Sequence, residues 1–153
     1  MPEQWAIADA AKVRGFGPSE ALDKLTRPPF VRVGRVADDE VLWVGDPERA
    51  SELVETMGTA LSGYGNRATV VDHSDGYALF SLEGRNRSEL FARLSSIRLP
   101  ATDGFVQGNF AGVPARTFCS AERLEVIVTS DVAWFVSGRL EHAAHDLAGR
   151  SAT

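Results

Sequence analysis

Along FVRVGRV, apolar and polar positions alternate with a period of two, so Val31 and Val33 share one face of a strand and Arg32 takes the other. Asp38-Asp39 supplies a turn, and VLWVG, apolar at four consecutive positions, predicts a strand covered on both faces. The period then changes. Asp46-Pro47 offers an N-cap and a first helical residue, and Ala50, Leu53, Val54, Met57 and Leu61 recur at helical spacing up to a stop at Gly63. ATVV reads as a strand, DHSDG as its turn and YALFSL as the return strand. Gly84 ends that strand, and Leu90, Phe91, Leu94 and Ile97 stripe a second helix. LPATDGFVQGNFAGVP, rich in glycine and proline, reads as a loop. ARTFC and LEVIVT predict two further strands hinged at Ser120-Ala121-Glu122, the second with Leu124, Val126 and Val128 on one face. Ser130 or Asp131 caps the last helix, which turns Val132, Phe135, Val136, Leu140, Ala143, Ala144 and Leu147 inward and stops at Gly149.

The order strand-strand-helix thus occurs three times, over about 31–62, 68–97 and 115–148. Repeated units of this kind predict an α+β fold, a largely antiparallel sheet with helices on one face. Residues 1–29 are expected to be an irregular N-terminal segment with a short helix near Glu20 to Leu25, and residues 30–150 a single α+β domain.

Composition narrows the classes of function. The chain has 153 residues, 44% hydrophobic and 24% charged, enough to bury a core without disulfide or metal staples. A net charge of −5 gives no footprint for nucleic acid or an anionic membrane surface. MPEQWAIADA lacks the basic and apolar regions of a signal peptide, and no apolar run reaches the length of a membrane span. With the single cysteine, Cys119, these features lead us to expect a soluble protein of the cytoplasm.

The candidate chemistry is sparse. Asp72, His73 and Ser74 are neighbours, whereas the members of a catalytic triad converge from distant parts of a chain, so they read as turn residues. His142 and His145, three apart on the last helix beside Glu141 and Asp146, could share a face, but no HExxH pattern accompanies them and a solvated helix end is expected. RGFGPSEA and SGYGNR match neither a dinucleotide loop nor a phosphate loop. Cys119 lacks electropositive neighbours and reads as a small buried hydrophobe. No catalytic, cofactor-binding or metal-ligating residue is therefore expected.

The segment VVDHSDGYALFSLEG, followed by ELFARL, resembles the folate-binding-domain superfamily that includes the glycine-cleavage aminomethyltransferase, through Asp72, Ser74, Leu79, Leu82, Gly84 and Leu94. VLWVGDPE (Val41 to Glu48), FVQGNFAGVPARTF (Phe105 to Phe118) and LEVIVTSDVAWFVSGRLEHAA are similar to one branch of it, the gamma subunit of heterotetrameric sarcosine oxidase. The resemblance covers about residues 30–148. GRNRSEL stands where the branch has Gly-Pro, and TSDVAWF where it has an Arg-Ser-Phe-like helix opening. It implies a heterotetramer of one-carbon metabolism that oxidatively demethylates sarcosine or a related N-methyl amino acid. In it this chain holds no cofactor and packs on the large alpha subunit, beside beta and delta subunits. FAD, FMN, NAD, zinc and tetrahydrofolate belong to those partners. A free-standing folate or small-molecule binding module, and a subunit of another N-methyl-amine dehydrogenase, stay open as alternatives.

Helical geometry singles out three partner-interface candidates, Trp134, Glu141 and His145. Trp134 lies about 200° around the last helix from Val132, on the outer face with Gly138, Glu141 and His145. An indole there, flanked by Glu141 and His145, either docks on a partner or is covered by the N-terminal segment.

Overall fold

The computed structural model describes residues 4–151. Among the described residues nine strands form two antiparallel sheets, accompanied by four α-helices, so the fold is α+β. In chain order the elements are β1 (Trp5–Ala8), β2 (Ala11–Phe16), α1 (Ser19–Asp23), β3 (Arg32–Ala37), β4 (Glu40–Gly45), α2 (Ala50–Leu61), β5 (Thr69–Asp72), β6 (Tyr77–Glu83), α3 (Arg87–Leu94), β7 (Gly104–Phe110), β8 (Val113–Cys119), β9 (Arg123–Thr129) and α4 (Ala133–Ser151). They fall into two compact units: residues 9–75 form one, inserted between β1 and the rest of the other.

The inserted unit runs β2-α1-β3-β4-α2-β5, and its sheet has the order β3-β4-β2-β5 with every pair antiparallel. This is the βαββαβ arrangement of ferredoxin-like folds. Its core joins Ala21 and Leu22 of α1 and Leu53, Met57 and Leu61 of α2 to Val13, Val41 and Trp43 of the sheet. β4 is buried along its whole length, as its unbroken apolar run requires. Val33 pairs with Trp43 and so faces the helices, yet it stays partly exposed because β3 is the outermost strand.

The second unit has the sheet order β1-β6-β9-β8-β7. Its inner strands repeat the plan of the inserted unit, with β1 beside β6 where β5 lies beside β2. There the flanking strand comes from the chain's beginning and not from the segment after its second helix. Phe80, Leu82, Val126 and Val128 of the sheet pack with Leu90 and Phe91 of α3 and with Val136, Leu140, Ala143 and Leu147 of α4.

Five expectations are corrected. Residues 1–29 are not irregular where described: β1, β2 and α1 occupy much of the segment. The single domain over 30–150 gives way to the two units above. ATVV and YALFSL are not hairpin partners, because β5 pairs with β2 whereas β6 pairs with β1 and β9. The stretch read as loop contains β7, joined to β8 through Ala111 and Gly112, both at positive φ (53° and 85°), the geometry of a tight primed hairpin turn. The last helix also continues past Gly149 to Ser151. Among the described residues no helix is long and apolar enough to cross a membrane.

Candidate functional site

α4 follows β9 through a short 3-10 turn, Ser130–Val132, whose own N-cap is Thr129, with no side-chain cap hydrogen bond. Its buried stripe is Val136, Leu140, Ala143 and Leu147, spaced by four, three and four residues, which lie on one face of a helix. Trp134 projects away from that stripe and is 77% exposed, with Glu141 and His145 exposed farther along. Phe135, expected inward, is instead 39% exposed, because it sits about 100° from Val136 and only borders the stripe. The two rings meet edge-to-face, centroids 6.0 Å apart at 80°. No other exposed large hydrophobics among the described residues are sequence neighbours. An indole so exposed would gain roughly 3–5 kcal/mol on burial against another apolar surface. Arranged this way, the residues can form a contact surface.

His142 and His145 do not act together. His142 Nε2 lies 3.6 Å from Asp146 Oδ2, one turn on, with its side chain in solvent. Among the described residues no three His, Cys, Asp or Glu side chains gather as a metal would need.

The Asp72–Ser74 segment is an Asx turn following β5. Asp72 Oδ1 accepts from the Ser74 amide at 3.0 Å and from its hydroxyl at 2.6 Å, and these bonds hold the Asp72 carboxyl below its usual range. Ser74 is also bonded to β2, accepting from the Lys12 amide at Oγ (3.0 Å) and from Lys12 Nζ at its carbonyl (2.9 Å). None of its polar contacts is with His73. The His73 ring meets Arg14 Nη1 at 3.2 Å. An arginine can only donate, so Nδ1 accepts and the ring proton sits on Nε2. Arg14 is further held by Glu40 at 2.9 Å. Nucleophile, base and orienting acid are therefore not in series, and the cluster fastens the turn to β2.

Two further groups could carry chemistry. Burial lowers the Lys12 pKa, outweighing the upward pull of Asp9, Asp75 and Asp72, and Lys12 Nζ is engaged with the Ser74 carbonyl at 2.9 Å. Burial, with Asp103 adding to it, pushes the Cys119 thiol up and away from the reactive thiolate.

Models of protein families and curated proteins yield no match to the sequence. Solved structures do share its fold. A chain of the heterotetrameric sarcosine oxidase from Corynebacterium sp. U-96 superposes with a TM-score of 0.79 at 14% identity, over 95% of this chain and 87% of that one. The glycine cleavage system aminomethyltransferase T from Bartonella henselae gives 0.63 at 13% identity over 89% of this chain, which spans only 44% of that enzyme. The regulatory subunit of aspartate kinase from Thermus thermophilus gives 0.55 at 16% identity, over 92% of this chain and 97% of that one. At such identities the likeness is one of fold.

Proposed function

We propose that this chain is a non-catalytic, gamma-type subunit of a heterotetrameric sarcosine oxidase-like flavoenzyme that oxidatively demethylates sarcosine or a related N-methyl amino acid. The observation that carries the reading is the match in extent: this chain and the sarcosine oxidase chain cover each other almost completely, whereas the aminomethyltransferase is more than twice as long. A fold alone does not confer an activity, so the reading also rests on the residues. Among the described residues they supply no triad, no phosphate loop and no reactive thiolate, which suits a structural subunit. FAD, FMN, NAD, zinc and tetrahydrofolate are assigned to the alpha, beta and delta partners for the same reason. Trp134, with Phe135, Glu141 and His145 around it, is the proposed contact with the large alpha subunit in the cytoplasm.

The test is purification of the tagged chain from its native host at physiological salt. The reading expects co-purification with flavin-bearing chains and oxygen uptake dependent on sarcosine or another N-methyl amino acid. Trp134→Arg should reduce recovery of the flavin-bearing chains per folded molecule. A chain that elutes alone, with no flavoprotein and no such oxygen uptake, removes the proposal and favours a free-standing module.

A further inference from the structure

The sheet of the second unit has a face turned away from α3 and α4, and one part of it is polar in an unexplained way. Residues directly opposed on neighbouring strands share a face, and the register places Ile127 opposite Arg116, and Arg116 opposite Gln107. In the next row Tyr77 stands opposite Thr129, and Pro114 opposite Asn109. These residues line a cavity of about 290 Å³.

Arg116 is half-buried there and has no carboxylate partner among the described residues. Its Nη1 donates to the Tyr77 hydroxyl, and the guanidinium lies over the Tyr77 ring, 5.2 Å from the centroid. Its Nε is buried with no hydrogen-bond partner. Tyr77 therefore fixes the plane of the guanidinium and occupies one nitrogen; the Nε–Nη2 edge carries two parallel donors spaced to match a carboxylate, and a small side-chain adjustment must bring Nε to the cavity surface before a ligand oxygen reaches it. A buried cationic donor without an acceptor is unfavourable, so the site is incomplete as it stands.

We propose that this cavity binds a small organic carboxylate on the Nε–Nη2 edge of Arg116, with the Gln107 and Asn109 carboxamides and the Thr129 hydroxyl meeting a hydroxyl or amino substituent of the ligand. Size limits the ligand, since the volume lies at the bottom of the range for small-molecule sites. Charge limits it too. One guanidinium balances a monoanion, and no second cation lines the cavity for a phosphate. The proposal does not depend on membership of a flavoenzyme complex.

The experiment is a titration of the full chain, followed by ¹H–¹⁵N NMR at constant ionic strength, with acetate, glycolate and glycine as probes and chloride and inorganic phosphate as controls. Saturable shifts are expected at the Arg116 Nε–H, the Gln107 and Asn109 side-chain amides and the Thr129 amide, for the carboxylates only. Arg116→Gln should weaken acetate by about ten-fold or more, the worth of a charge-assisted pair of hydrogen bonds. Should that variant fail to fold, Asn109→Ala, at an exposed position, should weaken glycolate more than acetate. The proposal is overturned if no carboxylate gives a saturable shift, if chloride and phosphate act equally, if acetate binding survives Arg116→Gln unchanged, or, where that variant does not fold, if glycolate binding survives Asn109→Ala unchanged.

Discussion

The sulfur of Met57 sits over Gly15 so closely that a Cβ on the glycine would lie 2.5 Å from it, and 3.1 Å from Val41 Cγ1. Helix α2 therefore rests on β2 through a missing side chain. Met57 is itself fully buried, so it has little space to retreat into. Gly15→Ala should destabilise the fold by about 1–3 kcal/mol through overpacking, and Gly15→Val by more. Urea titration measures this. A neutral Gly15→Ala would mean that Met57 swings aside and the contact is not tight.

Phe30 lies at φ 61°, third in the turn Pro28–Val31 that the Val31 amide closes onto the Pro28 carbonyl at 3.3 Å. That position favours glycine, and Pro29 suits the one before it. The phenyl ring is 90% exposed, so little packing offsets the strain. Phe30→Gly should raise stability by up to about 1 kcal/mol, a rise of roughly 2–4 °C in melting temperature. A fall instead would show that the ring makes contacts in solution which stabilise the turn.

The Asp72 carboxyl is held down chiefly by the Ser74 hydroxyl and amide. Its folded pKa is below its unfolded one, so the associated stability is present above the usual carboxylate value, near pH 4, and is lost as pH falls through the lower folded value. Asp72→Asn keeps an acceptor oxygen but no charge. The variant should be slightly less stable than wild type at pH 7, by less than about 1 kcal/mol because the site is exposed, and the difference should shrink as acidification protonates the folded carboxyl. A difference that stays constant with pH would assign the effect to turn geometry and not to charge.

Elements whose pattern is set by their own burial are the legible ones. β4, apolar throughout, and α2, striped by Leu53, Met57 and Leu61, lie where their periodicity puts them. β7 was hidden because its hairpin turn uses Ala111 at positive φ in place of the usual Asn or Asp, and because Gly104 and Gly108 made the strand look like loop. The pairing of β5 and β6 was hidden for another reason. A turn between two strands reads the same whether they pair together or with distant partners. Here the His73 amide extends the β2 pairing by bonding to the Lys12 carbonyl, while the Gly76 carbonyl accepts from Ser130 beside β9. The outer-face position of Trp134 was legible from helical geometry, whereas the Arg116 cavity was not, since register joins residues from four strands. One signal was available: Arg116 is the one charged residue in the β8 sequence VPARTFC.

Trp134 and Leu140 lie on the same helix and should answer truncation in opposite ways. Leu140 is fully buried among Val136, Ala143 and the sheet, so Leu140→Ala should cost about 2–5 kcal/mol through lost burial and the cavity left behind. Trp134 touches Phe135 edge-on and is otherwise mostly in solvent, so Trp134→Ala should cost less than about 1 kcal/mol. At roughly 2–4 °C per kcal/mol for a chain of this size, thermal melts of the two variants separate clearly. If Trp134→Ala melts as early as Leu140→Ala, the indole belongs to the core and the surface proposed to meet a partner loses its anchor. If it melts with wild type while association with flavin-bearing chains weakens, the exposed ring is there for recognition.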